Sequence, residues 1–512
     1  MPKLNKGLPH GAFPFPEGVS LPTHSDTLPE RVIQFGEGNF LRAFVEWMFH
    51  SLNQNNLFNG RVVVVQPIAD GLANAINAQD GLYTLALRGL RDGQPVEEIS
   101  VISSISRALN AYSEWEKVLA CAEDPNIEYL ISNTTEAGIS YDAQDKADMA
   151  PARSFPGKVT QYLYRRFCHF NGASDKGMIL IPCELIDRNG DNLKQVVLRY
   201  TKEWGLPPAF AAWVENHNLF LNTLVDRVVT GYPKDEVAQL TARLGYEDTL
   251  LDTGELFHLW VIEGPAHVAE KLPFTQVGLN VIWTDDMSPY RTRKVRILNG
   301  AHTASVPASF LYGLETVGEM MDHSVMGRFV REAVYEEIVP SISLDKDMLT
   351  TFADSVIERF RNPYIQHYLI SILLNSSSKF KTRVLPSILD YHRLFGKLPA
   401  RLVFGLAALI AVYRDGRIEN GAMSARRAKG EFIMKDDLPV LEFFADTWKA
   451  YDGSLSGARV VAEKTLSNPS LWGEDLNKLP GLTDMLAGFL LAICREGMPK
   501  ALENLAASAG SK

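Results

Sequence analysis

Within nine residues, Lys294-Val-Arg-Ile-Leu-Asn299-Gly-Ala-His302, the chain carries an amine, a carboxamide and an imidazole. Such a set can move a proton at a carbinol, steady the developing oxyanion and orient a sugar hydroxyl, as metal-free hydride transfer requires. On an α-helix the three would lie at roughly 0°, 140° and 80° of arc. Asn299 and His302 then share a face, and the long lysine reaches in from the preceding turn. A lysine base must lose its proton near neutrality. From a reference pKa of about 10.4 that is a drop of roughly three units, worth about 4 kcal/mol. Desolvation and the neighbouring Arg291, Arg293 and Arg296 push in that direction. Spacing alone is met as well by a basic helix start with solvated charges and a core histidine. Tyr290-x-x-x-Lys294 imitates another dehydrogenase pairing, but Pro289 directly before it speaks against the mid-helix setting that pairing needs.

A hydride donor needs a scaffold, and the first half of the chain alternates in a way that supplies one. Arg31–Phe35, Arg61–Val65, Ile127–Ile131 and Met178–Ile181 read as buried strands separated by helical stretches, which predicts a doubly wound, Rossmann-like α/β sheet. Gly36-Glu37-Gly38 falls between the first strand and a helix over Asn39–Asn55, where such folds cradle a diphosphate. The third glycine of the usual fingerprint is replaced by Leu41. Gln66 ends the second strand and Asp70 follows four residues on, so neither a clear ribose-binding acid nor an opposing arginine decides NAD over NADP. Glu136, after the next strand, suits a ligand or a helix cap. Asn189 and Asn192 suit a site or a turn. Arg361, Lys379 and Arg383 are candidates for holding a carboxylate.

Past residue 285 the strand signals thin, and segments near 293–314, 325–338, 346–361, 363–375 and 401–413 read as helices. This gives an arm over 1–29, a dinucleotide-binding domain over 30–285 and a helical substrate domain over 286–512. A net charge of −10 argues against nucleic acid or an anionic membrane as partner. The longest apolar run, Leu402–Tyr413, is too short to span a bilayer and reads as a buried helix. Cys121, Cys168, Cys183 and Cys494 are scattered without zinc-site spacing, which suits a reducing cytoplasm and a site with no metal. The oligomeric state is left open, with a monomer compatible.

Lys294-x4-Asn299-x2-His302, Gly36-x-Gly38-x-Phe40-Leu-Arg42-Ala and Gln79-Asp-Gly-Leu-Tyr83 resemble the mannitol dehydrogenase family of polyol-specific long-chain dehydrogenases. Ser132-Asn-Thr-Thr-Glu-Ala-Gly138, Ile181-Pro-Cys-Glu-Leu-Ile-Asp187 and Arg359-Phe-Arg-Asn-Pro-Tyr-Ile365 extend the likeness over roughly residues 30–490. The resemblance implies NAD-linked interconversion of D-altronate and D-tagaturonate, with a small sugar acid as the partner molecule. Another family activity, on fructuronate, mannitol or arabinitol, is the alternative. It implies Lys294 as general acid or base, Asn299 as oxyanion donor and His302 as a substrate-positioning group. Cofactor contacts are expected from Phe35, Gly36, Glu37, Gly38, Asn39 and Phe40, with Asp70 and Glu136. The family's second oxyanion asparagine is missing where Cys183-Glu184-Leu185 stands, and Asn189 is the substitute. Arg291 replaces a glutamate that lies on the proton path in some relatives.

Overall fold

The computed structural model describes residues 1–10, 13–23, 27–134 and 137–509. The chain divides into two units, Met1–Met287 and Ser288–Lys512.

In the first unit, β1 (Glu30–Phe35), β2 (Arg61–Gln66), β5 (Ile105–Asn110), β6 (Tyr129–Ser132), β7 (Ile179–Pro182) and β8 (Leu219–Phe220) form one parallel sheet. Its order is β5-β2-β1-β6-β7-β8. The order reverses beside β1, so a crevice opens at the carboxyl ends of β1 and β6. Every residue of β2 is buried, as a β-branched run covered on both faces must be. Ile33, Val63 and Leu130 face α3 (Trp115–Cys121), α4 (Phe155–His169) and α5 (Asn189–Glu203). Val32, Val62 and Ile131 face α1 (Trp47–Gln54) and α2 (Ala73–Ala78).

A hairpin that the strand signals did not reveal, β3 (Tyr83–Arg91) and β4 (Gln94–Ile102), joins β10 (Asp252–Glu255) in a second sheet. A third sheet holds β9 (Asn222–Asp226), β11 (Leu259–Glu263) and β12 (Val281–Thr284). The N-terminal residues pack onto this unit: Leu4 is fully buried, and Val19–Ser20 pairs with β4.

The second unit is mainly helical. α6 (Ser288–Arg293) runs through a π-turn, Lys294–Asn299, into α7 (Gly300–Tyr312). α8 (Ser324–Glu332), α9 (Lys346–Phe360), α10 (Ser376–Arg383) and α11 (Ala400–Val412) follow. α11 is buried from Arg401 to Val412, and Gly405 lets it approach α7: a Cβ there would sit 2.4 Å from the Ala304 carbonyl. Two expectations fail here. Over 363–375 only Leu369–Ile372 is helical. Pro363 biases Asn362 away from helix, and the Asn362 side chain accepts from the Tyr364 amide in a turn. The other miss is an antiparallel meander, β13 (Arg417–Glu419), β14 (Ala422–Arg427) and β15 (Gly430–Met434).

Candidate active site and cofactor cleft

In the first unit a cleft of about 640 Å3 opens at the carboxyl ends of the parallel strands. The turn after β1 forms one wall. Gly36 has φ of 116°, and a Cβ there would stand 2.9 Å from the Asn133 carbonyl, so only glycine fits. A Cβ at Gly38 would meet nothing within 4 Å, because that position faces open space. Helical structure begins at Asn39, passes through a π-turn, Arg42–Glu46, and continues as α1. Free amides and open space at a helix start fit the diphosphate of a dinucleotide.

Buried groups hold this turn. Gln34 Nε2 donates to the Gly36 carbonyl at 2.9 Å and also to Glu46. Arg42 donates to the Glu37 carbonyl, and the Tyr83 hydroxyl donates to the Arg42 carbonyl at 2.6 Å. Asp252 lies 3.6 Å from the Arg42 guanidinium. Burial pushes the carboxyls of Glu46 and Asp252 up to about 7 each, against the pull of Arg42.

Of the residues expected at the cofactor, Gly36, Glu37 and Gly38 line the cleft. Burial raises the Glu37 carboxyl pKa. Phe35 is instead core, 5.5 Å from Phe155 between ring centres. Asn39 accepts from Arg42 at 2.7 Å, and Phe40 stacks on Phe44. Asp70 is exposed and outside the lining. Gln66 is spent on its own loop: it donates to the Ile68 and Ala69 carbonyls and accepts from the Ala73 amide. Glu136 lies outside the described residues.

Asn189 is fully buried at the start of α5. Its amide nitrogen donates to the carbonyls of Pro182 (2.9 Å) and Glu184 (3.1 Å), and its oxygen accepts from the amides of Gly190 and Thr223. The side chain stitches the end of β7 to β9. Asn192 lies in the first turn of α5 and donates back to the Asp187 carbonyl.

In the second unit the π-turn changes the geometry expected of the nine-residue stretch. The Gly300 amide bonds back to Val295, five residues away. A five-residue repeat stacks Lys294 and Asn299 on one face instead of 140° apart, with His302 one α-turn further on. Lys294 and Asn299 are both partly exposed. His302 stacks on Phe360 with ring centres 4.0 Å apart and meets the edge of His367. Its Nε2 is buried with no hydrogen-bond partner among the described residues. Burial, then His367, Arg359 and Arg383, hold the imidazole pKa well below its usual value.

Arg296 is held away from solvent by its own partners. It is clamped by Ser387, Asp390 and Ser341 at 2.6, 3.0 and 3.0 Å. Arg293 packs over Phe352, and Arg291 is exposed. Among the carboxylate candidates, Arg383 bears electrostatically on His302, while Arg361 is exposed and Lys379 donates to the Ile372 carbonyl. Arg359, which the sequence reading passed over although it begins a quoted family segment, acts on His302 together with Arg383.

The model for the mannitol dehydrogenase Rossmann domain matches residues 30–276, and that for the mannitol dehydrogenase C-terminal domain matches residues 286–494. The chain belongs to the mannitol dehydrogenase family. Within it, the chain is 49% identical over 476 residues to an altronate oxidoreductase of Pectobacterium carotovorum, covering 93% of this chain and 96% of the relative. An Escherichia coli altronate oxidoreductase shows the same identity over 478 residues, 93% and 97% of the two chains. Among solved structures, substrate-free D-sorbitol dehydrogenase shares the fold at a TM-score of 0.79 and 21% identity, covering 98% of this chain and 100% of that one. Pseudomonas fluorescens mannitol 2-dehydrogenase, in a ternary complex with NAD and D-mannitol, does so at 0.71 and 21%, covering 99% of each chain. Among the described residues no helix is long and apolar enough to cross a membrane.

Proposed function

We propose that this protein interconverts D-tagaturonate and D-altronate with NAD as the hydride carrier. The observation that carries the reading is the 49% identity to altronate oxidoreductases, which runs through 93% of the chain and nearly all of each relative. It covers both the cleft of the first unit and the Lys294 segment of the second.

When bound, the dinucleotide supplies or accepts the hydride at the carbon beside the terminal CH2OH. The glycine turn after β1 and the helix start at Asn39 hold its diphosphate. In reduction the Lys294 ammonium gives a proton to the forming alkoxide, and in oxidation the amine takes it back. The Asn299 carboxamide donates to the oxyanion. His302, kept neutral by burial, offers Nε2 to a substrate hydroxyl. Arg383 is the choice for the sugar-acid carboxylate, because it and Arg359 both act on His302. Asn189 is left out of the catalytic set, since its amide is already committed to the backbone. The NAD link and the scattered cysteines support a cytoplasmic location.

Kinetics on D-tagaturonate, D-fructuronate and D-fructose with NADH and NADPH test the reading. Tagaturonate with NADH should be preferred, and turnover of fructose at an equal or better rate would overturn the substrate assignment. Lys294→Ala should lower kcat by about 10²–10⁴-fold. Arg383→Met should raise KM for tagaturonate but not for fructose, while Arg361→Met leaves both unchanged.

A further inference from the structure

Lys158 stands in the first turns of α4, only 1% exposed, and lines the same cleft as Gly36–Gly38. Its ammonium donates to the Arg153 carbonyl at 2.7 Å and lies 5.0 Å from the centre of the Tyr112 ring. No carboxylate pairs with it among the described residues. The acid that bears on it, Asp145, is occupied by the amides of Arg153 and Ser154, by the Ser154 hydroxyl and by the Tyr200 hydroxyl. A buried cation without an ionic partner is costly, and a lysine has three donors of which one carbonyl takes one. An anion arriving in the cleft would satisfy the rest.

We propose that Lys158 binds the diphosphate of the dinucleotide and takes up a proton as the cofactor enters. The inference rests on the reading that this cleft takes NAD. Burial lowers the Lys158 pKa to about 8, with Asp145 pulling the other way. Among the described residues that line the cleft, the other charged or titratable groups are Asp142 and Arg153 from its own loop, Tyr112 from the end of β5, and Glu37 from the glycine turn. Near pH 8 a substantial share of free protein therefore holds Lys158 neutral. A bound diphosphate raises its pKa, so binding draws a proton in, and NADH affinity falls as pH climbs through about 8.

Calorimetric titration of the full chain with NADH, at pH 8 in buffers of contrasting ionisation enthalpy, reads this directly. The wild type should take up about half a proton per NADH at pH 8 and almost none at pH 6.5. Lys158→Arg, charged throughout, should bind NADH without proton uptake. Lys158→Met should bind about tenfold more weakly, the ratio expected for one charge-assisted hydrogen bond, with its melting temperature followed alongside. Absence of uptake in the wild type, or uptake persisting in Lys158→Arg, would overturn the proposal, as would an unchanged Kd in Lys158→Met. NADH failing to bind the wild type would overturn the cofactor reading of the cleft as well.

Discussion

Arg42 donates to the carbonyl of Glu37 at 2.8 Å, so a buried guanidinium grips the main chain of the glycine turn. A second nitrogen donates to Asn39 Oδ1 at 2.7 Å, on the other side of Gly38. The side chain spans the piece of backbone that must keep its shape for a diphosphate.

A lysine has the charge but not the fork, and cannot hold both anchors. Arg42→Lys should therefore raise the NADH Kd by about tenfold or more while KM for tagaturonate changes little. Fluorescence titration of NADH beside steady-state kinetics separates the two. Wild-type NADH affinity in the variant would show that the turn keeps its shape without the fork.

Glu46 gives a pH signature. Its carboxyl, raised to about 7 mainly by burial, keeps its proton in the native state after the unfolded chain has lost it. Stability attached to this group is full below about pH 4.5 and is lost as pH rises towards 7. A shift of that size corresponds to about 3 kcal/mol. Glu46→Gln should flatten the fall in denaturation midpoint between pH 5 and pH 7.5. Asp252, raised in the same direction, keeps part of the slope. A slope identical to wild type would mean that Glu46 ionises normally in the folded protein.

His302 has the opposite sign. Its native pKa lies well below 6.5, so below that pH the unfolded chain binds a proton that the folded one refuses. Stability from this group is full above about pH 6.5 and is lost as pH falls. His302→Ala should lose less stability between pH 7.5 and pH 5 than the wild type, although half-buried His258 and His367, whose pKa values are also lowered, keep part of the effect. The same variant should raise KM for tagaturonate more than it lowers kcat, as expected of a positioning group. A pure kcat defect would place His302 in the proton path instead.

For Asn189 the expected loss is stability. Asn189→Ala leaves backbone groups of Pro182, Glu184 and Thr223 without their partner in the interior, which costs about 2–4 kcal/mol. The folded fraction should turn over within a few-fold of wild type. A variant that melts normally but has lost kcat by a hundredfold or more would restore Asn189 to the oxyanion site.

Much of this protein is legible in the chain because its signals are local. Arg61–Val65 announces a strand covered on both faces, and Gly36-Glu37-Gly38 announces a tight turn before a helix. Other features depend on distant partners. Lys158 is an ordinary lysine in the sequence, and only the packing of α4 near Tyr112 buries its charge. Asn189 had a turn-like neighbourhood, and only the arrival of Thr223 commits its amide. One miss did have a local signal: Asn420 and Gly421 both take positive φ in the two-residue loop between β13 and β14, a pairing that marks hairpins.

The π-turn from Lys294 to Asn299 makes residue count, not only residue identity, a property of the site. A helix carries such a turn by accommodating one surplus position. Removing any one residue between Val295 and Leu298 would let the run relax to α geometry, with the lysine, asparagine and histidine all still present. Lys294 and the asparagine would then stand four positions apart, about 40° of arc, and still share one face. The lesion that separates them is the opposite one: five positions forced into plain α geometry set the pair about 140° apart, so here the length of the run and the shape of the turn must match.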